Sequence, residues 1–260
     1  MQVYDAKKVA RMERLYSSRQ VVEQRARFRA AIAARPGEQG LDIGCGAGYL
    51  TCELAREVAP GGRITAIDAS NDSEAAATAR VAKEGLAGTV EVRAGDAASL
   101  PFSDGSFDFV VGVQVYCYVP DIAHGIREAA RVLRKGGRLL ILESDWDTCV
   151  WETSDHARTR RMLSQRASRF AHAHLPRELP RLIKAAGMAL VEASVFPILE
   201  TRYDASSYGA GAIDSTCEAA IKSGIPAEEV SAWEADLRSR VAEGEWFFCL
   251  NRFIFAATKI

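Results

Sequence analysis

The chain has 260 residues, 48% of them hydrophobic, enough for one large α/β domain with its own core and without the composition of a disordered chain. Lysine and arginine number 33 against 34 acidic residues, a formal net charge of -1, which disfavours general nucleic-acid and anionic-membrane binders. No apolar run reaches bilayer-spanning length, MQVYDAKKVARMERLYSS lacks the apolar core of a secretory signal, and the six scattered cysteines form no CxxC pair. A cytoplasmic protein with no structural zinc and no disulfide framework is expected.

Residues 5–34 read as arginine-rich helix, ended by the breaker Arg35-Pro36-Gly37. QGLDIGC is a short apolar strand, and YLTCELAREVA a helix with Leu50, Leu54 and Val58 at helical spacing. Pro60-Gly61-Gly62 turns the chain into the strand RITAIDAS; SEAAATARVAKEG is a helix closed by Gly85. TVEVRAGD alternates as a strand does, and FDFVVGVQV is a nearly continuous apolar run suited to a strand buried on both faces. DIAHGIREAARVLRKGG is an amphipathic helix stopped by Gly136-Gly137, and RLLILES a fifth strand. Five strands separated by helical crossovers predict a parallel, doubly wound sheet that binds ligands along its carboxyl edge.

After Ser144 the rhythm breaks. Residues 145–186 read as helical and include the arginine-rich RTRRMLSQRASR; MALVEASVFPIL is a sixth strand. Residues 203–244 read as a helical insertion, and WFFCLNRFIFAATK as a last strand pairing antiparallel with the sixth at the sheet edge. The boundaries are 1–36 for N-terminal lid helices, 37–144 for a ligand-binding core, 145–186 and 201–245 for cap inserts, and 187–200 and 246–258 for the late strands.

The stretch LDIGCGAGYLT joins a strand to a helix, so backbone N–H groups at the helix start face a ligand and the glycines allow its close approach. Gly44 and Gly46 fit the first two positions of GxGxxG, but Tyr49 stands at the third and the glycine is at 48; GxxxxGK[ST] is absent. The loop therefore suits a nucleoside without phosphates. Asp68 ends the second strand about twenty residues further on, where an acid takes ribose hydroxyls.

LDIGCGAGYLT, ITAIDAS, VRAGDAASLPF, FDFVVGVQVYCYVPD and EAARVLRKGGRLLILE, in that order, resemble the class I S-adenosylmethionine-dependent methyltransferases, closest to the small-molecule group of ubiquinone/menaquinone-biosynthesis type. The resemblance covers residues 37–145. It implies a Rossmann-like, doubly wound, mostly parallel seven-stranded sheet with an antiparallel last strand and helical cap inserts. Its cofactor is S-adenosyl-L-methionine, with S-adenosyl-L-homocysteine as product. Carried over, Gly44, Cys45, Gly46 and Gly48 line the methionine and ribose side, and Asp68 with Ala69 holds the ribose. Asp96 and the Ala97 backbone take adenine, Gln114 borders the sulfonium, and Asp42 braces the loop or meets the amino group through water. Arg25, with Tyr16 and Arg19, belongs to a lid whose arginine grips the cofactor carboxylate; a solvated helix face is the competing reading.

Methyl transfer from a sulfonium is an in-line displacement that needs alignment and water exclusion, and a base only when the nucleophile arrives protonated. Asp145, His156 and Tyr116 are the catalytic candidates: Asp145 follows a buried strand directly, Tyr116 follows the fourth strand, and His156 is the best-placed general base. Cys117, between Tyr116 and Tyr118, departs from the acidic or histidine residues frequent there in the family. Arg158 to Arg169 either recognises an anionic substrate or is a solvated face. The expected activity is methylation of O, N or C on a small-molecule acceptor, with no metal, nucleic acid or membrane partner and with a homodimer left open. Two alternatives stand beside it: arsenite methylation through Cys117, Cys149 and Cys217, and a cofactor-binding partner protein without catalysis. A base-modifying nucleic-acid enzyme lacks its [DNS]PP[YFW] signature, where this chain reads VQVYCY.

Overall fold

A computed structural model describes residues 15–260; the sequence reading of residues 5–14 lies outside them. Eight strands form one sheet: β1 (Gln39–Ile43), β2 (Arg63–Asp68), β3 (Val90–Ala94), β4 (Phe107–Val113), β5 (Leu133–Ser144), β6 (Val150–Trp151), β7 (Met188–Glu200) and β8 (Phe248–Lys259). The order is β3-β2-β1-β4-β5-β8-β6, with β7 also paired to β8. β1 to β5 are parallel, and β8 runs antiparallel to β5, β6 and β7. The order reverses between β1 and β4, which opens a crevice above their carboxyl ends.

The helices are α1 (Arg19–Ile32), α2 (Tyr49–Val58), α3 (Asn71–Lys83), α4 (Ile122–Val132), α5 (His156–Ala167), α6 (Leu179–Ala185), α7 (Tyr208–Lys222) and α8 (Ala227–Glu243). Local chemistry sets several starts: Ser70, Asp121, Asp155 and Ser207 accept N–H bonds from the first turns of α3, α4, α5 and α7. No helix of the described residues is long and apolar enough to cross a membrane.

Three apolar clusters carry most of the packing. One joins β1, β4 and β5 to α4 and α6 on one face; a second joins the opposite face to α1 and α2. The third lies beyond the sheet edge and gathers Trp146, Trp151, Trp233 and Trp246 around Phe248 and Leu250.

Two expectations are corrected. The helix meant to stop at Gly136-Gly137 ends at Val132, and Leu133 already pairs with Phe107 in β5. The glycines belong to a bend inside that strand, where a Cβ on Gly137 would sit 2.8 Å from the Arg134 carbonyl oxygen. Residues 145–186 are not uniformly helical: β6 lies among them, held by Val150↔Cys249 and Trp151↔Phe248.

Candidate active site

The crevice is a cavity of about 1240 Å³ over the sheet's carboxyl edge. Its floor is the turn between β1 and α2, where Gly44, Gly46 and Gly48 have φ of +69°, +54° and +76°, angles open to residues without a Cβ. The turn is stitched to β2. Gly44 and Cys45 both donate to the Ile67 carbonyl at 2.8 and 3.0 Å, and Gly46 N–H donates to Asp68 Oδ2 at 2.9 Å. Ser70 N–H donates to Asp68 Oδ1 at 2.9 Å. Each Asp68 oxygen thus holds one backbone donor and keeps a lone-pair direction toward the cavity that Asp68 lines.

Arg25, Gly44, Cys45, Gly46, Asp68, Ala69, Asp96, Ala97 and Gln114 are brought together on the cavity wall. Gly48 is not. It starts α2, and a Cβ there would lie 3.1 Å from the Ala77 backbone, so its bareness serves the contact between α2 and α3. Gly44 also answers to packing, since a Cβ would strike Val115 at 2.4 Å. At Gly46 the neighbour is a side chain rather than the sheet: among the described residues a Cβ would meet only Tyr16, tightly, at 3.2 Å from its hydroxyl. Tyr16 stacks on Tyr49 at 5.5 Å, and the Arg80 guanidinium lies 3.5 Å from the centroid of the Tyr49 ring. Arg25 is anchored by Glu53 at 3.2 and 3.3 Å and by the Tyr16 carbonyl at 2.6 Å. Arg19 pairs with Glu23 in solvent, as a solvated helix face does.

Asp42, under the loop, accepts from Thr51 Oγ1 at 2.6 Å. Burial pushes its carboxyl up to about 7; the Thr51 hydroxyl opposes the shift, and nearby Asp68 adds to it. Gln114 has φ +55°, accepts from Ser144 Oγ at 2.7 Å and donates through Nε2 toward Glu143 at 3.4 Å.

None of the three catalytic candidates lines the cavity. Asp145 is 5% exposed and turned aside: Arg177 donates to it at 2.7 and 3.0 Å, and His174 Nδ1 lies at 3.1 Å. Burial works to raise its carboxyl, but these partners outweigh it and hold it below the usual carboxylate range. Tyr116 is buried with its ring against Gly112 and Gly125, and burial raises the phenol far above its ordinary value. His156 is exposed at the start of α5, 3.5 Å from Glu152. Among the described residues, the one cluster of three histidine, cysteine or acidic ligand atoms within 4.8 Å is Asp145, Asp147 and His174, into which Arg177 already inserts its cation. Cys117, Cys149 and Cys217 therefore do not converge on one centre. Burial raises all three thiols, Cys149 to about 12 and Cys217 to about 11, against the thiolate an arsenic site requires.

The sequence reading missed Glu143 and Arg252; Arg166 it held only within Arg158 to Arg169, a stretch read either as recognising an anionic substrate or as a solvated face. Glu143 is fully buried, and one oxygen accepts the N–H groups of Val115, Tyr116 and Cys117 at 3.0, 2.7 and 3.3 Å. Burial pushes this carboxyl up to about 7 against the pull of those donors. It fixes the segment from Gln114 to Cys117 above the sheet. A charge inside the apolar run RLLILES was its signal, as Arg252 inside FFCLNRFIF was for the other wall.

Comparison with known proteins bears on this geometry. Residues 41–141 match the family described as "Methyltransferase domain". Over that stretch the chain is similar to a methyltransferase domain. It is 34% identical over 230 residues to an uncharacterized 37.1 kDa protein in transposon TN4556 of Streptomyces fradiae, covering 87% of this chain and 64% of that one. It is 35% identical over 116 residues to a demethylmenaquinone methyltransferase of Bacillus cytotoxicus, covering 45% of this chain and 48% of the relative. The chain thus spans less than two thirds of either relative's length. Geranyl diphosphate C-methyltransferase from Streptomyces coelicolor A3(2), solved with Mg2+, geranyl diphosphate and S-adenosyl-L-homocysteine, superposes with a TM-score of 0.60 at 16% identity, over 92% of this chain and 76% of that one. The chain accordingly has the expected α/β Rossmann-like fold: a mostly parallel sheet whose last strands run antiparallel.

Proposed function

We propose that this protein transfers a methyl group from S-adenosyl-L-methionine to an O, N or C atom of a small-molecule acceptor. The observation that carries the reading is Asp68. Its two oxygens are fixed by Gly46 and Ser70, and each keeps an accepting direction at the cavity wall, the pattern two vicinal ribose hydroxyls require. Gly46 beside it, with no Cβ, would let a sugar approach the backbone under the Tyr16 side chain. Asp96 and Ala97 would take adenine, Gln114 would border the sulfonium, and Arg25 would face the amino-acid carboxylate. Bound there, S-adenosyl-L-methionine supplies an electrophilic methyl with a neutral leaving group.

The chain's own part is alignment and exclusion of water. Trp146, Phe170, Tyr118 and Tyr208 wall the side of the cavity away from Asp68, and Trp146 stacks on Phe170 at 4.7 Å. With Asp145, His156 and Tyr116 directed elsewhere, the cavity supports a reaction driven by orientation, which can supply about 7–11 kcal/mol of a barrier.

The test is calorimetry with S-adenosyl-L-homocysteine, followed by incubation with methyl-labelled S-adenosyl-L-methionine and a panel of phenols, amines and acids. Binding with label transfer is expected. No binding would sink the reading, and binding without transfer to any acceptor would favour the non-catalytic alternative.

A further inference from the structure

The cavity is electrostatically divided. Asp42, Asp68 and Asp96 all come from the ends of β1, β2 and β3, on one half of the sheet. The other wall, built from β8 and the segments after β5 and β7, carries Arg166, Arg169 and Arg252.

Among the described residues, two of these cations are deeply buried without a counter-charge. Arg166 is 8% exposed and Arg252 5%. Arg166 Nη1 spends its hydrogens on neutral oxygens: the Ala212 carbonyl at 3.1 Å, Thr216 Oγ1 at 3.0 Å and Ser215 Oγ. Arg252 Nη1 donates to Gln24 Oε1. In both side chains Nε is buried with no hydrogen-bond partner among the described residues. No carboxylate of the described residues lies within ion-pair distance of either guanidinium. Glu143, which neighbours the strand position facing Arg252, commits its oxygens to the loop N–H groups and to Gln114.

Other arginines of the same stretch show the contrast. Arg158 pairs with Asp155, and Arg161 with Glu229 of α8. Arg166 instead lies over Trp146, 4.7 Å from the ring centroid, and Arg252 over Tyr208, 4.6 Å away. A ring face offsets part of a buried charge. A guanidinium withdrawn from water without an anion still carries an uncompensated desolvation cost. Two such groups on one cavity wall, each with unused donors, form a site whose missing component is negative.

We propose that the acceptor is an anion: a flat, largely apolar molecule bearing a carboxylate or comparable oxyanion, which Arg166 and Arg252 bind while Trp146, Phe170 and Tyr208 enclose its apolar body. This deepens the methyltransferase reading and rests on it. Arg169, exposed beside Phe170, stands at the entrance, where it adds to the positive potential met by an incoming anion.

The experiment uses the full chain saturated with S-adenosyl-L-homocysteine, whose own binding is measured first. Pairs of aromatic carboxylic acids and their carboxamides, such as 1-naphthoate with 1-naphthamide and 4-hydroxybenzoate with its amide, are titrated by calorimetry, with inorganic phosphate as a bare-oxyanion control. At least one acid should bind about tenfold or more tightly than its amide, a difference typical of a charge-assisted hydrogen bond. Arg166→Met and Arg252→Met should each erase that preference while the affinity for S-adenosyl-L-homocysteine stays within about twofold. Arg166→Lys and Arg252→Lys, which keep the charge, should retain part of it. Equal binding of acids and amides across the panel would overturn the proposal. So would a loss of S-adenosyl-L-homocysteine affinity in the methionine variants, which would place the arginines on the cofactor's carboxylate. Failure of the wild-type protein to bind S-adenosyl-L-homocysteine is a separate result, and it would count against the methyltransferase reading itself.

Discussion

Replacing Asp42 by asparagine isolates the cost of a buried carboxylate beneath the glycine loop. The side chain is 2% exposed and has one neutral donor, Thr51, with Asp68 as a like charge nearby. Its pKa is raised from 3.8 to about 7 in the folded protein. The folded state therefore holds a proton that the unfolded chain has already released, and stability falls as pH rises through this window. At about 1.4 kcal/mol per unit, ionising Asp42 costs at most about 4 kcal/mol, none of it felt below the unfolded value and all of it above about pH 7. Glu143, raised from 4.5 to about 7, acts with the same sign and is untouched by the substitution. The amide of the Asp42→Asn variant keeps an oxygen for the Thr51 hydroxyl and cannot ionise. Urea unfolding of both proteins without ligand, at about pH 4, 5.5 and 7.5, should show the variant gaining on the wild type by several kcal/mol as pH increases. A gap that stayed constant within about 0.5 kcal/mol over that range would refute the assignment.

Asp68→Ala removes both acceptors offered to the ribose. At about 1.5–3 kcal/mol per hydrogen bond to a charged group, calorimetry should find S-adenosyl-L-homocysteine bound about a hundredfold or more weakly, and near-normal affinity would contradict the proposed site. Gly48→Val forces a branched side chain to φ +76° and against the Ala77 backbone; a loss of at least about 2 kcal/mol in urea unfolding is expected, without a primary effect on ligand contacts. Trp233→Phe deletes the buried Nε1–H bond to Thr159 at 3.0 Å and the edge contact with Trp151, and should lower stability by about 2–3 kcal/mol. Arg177→Ala should lower Tm at neutral pH by stripping Asp145 of its cation. Because the folded pKa of Asp145 is depressed, that stabilisation is present above the ordinary carboxylate value and fades as pH falls through the folded value. The deficit should therefore shrink in acid.

The sheet and the glycine-loop side of the cavity wall were legible because both are written locally. Apolar runs of strand length alternate with helical periods, and the glycine loop, Asp68 and Asp96 each sit at the end of a strand that the pattern identifies. The catalytic candidates stand off the cavity wall for a non-local reason. Asp145 does follow a buried strand, but what it meets is set by Arg177, 32 positions later in the chain. Tyr116 is turned inward because Gly112 and Gly125 leave room for its ring. Nothing in RTRRMLSQRASR separates Arg166 from Arg161; only the packing of α5 against α7 decides which guanidinium faces the cavity and which faces Glu229. The helix meant to reach Gly136 lost to strand pairing, since Leu133 finds Phe107 as a neighbour.

The tryptophan cluster at the sheet edge packs apart from the two clusters that clasp the β1–β5 sheet. A mutation that reshapes the wall around Trp146 or Tyr208 is felt first within its own oil drop, and a route from there to the glycine loop runs through Tyr16, which packs against that cluster and lies beside Gly46. Laboratory evolution toward new ligands should therefore begin in that outlying cluster and leave Tyr16 in place.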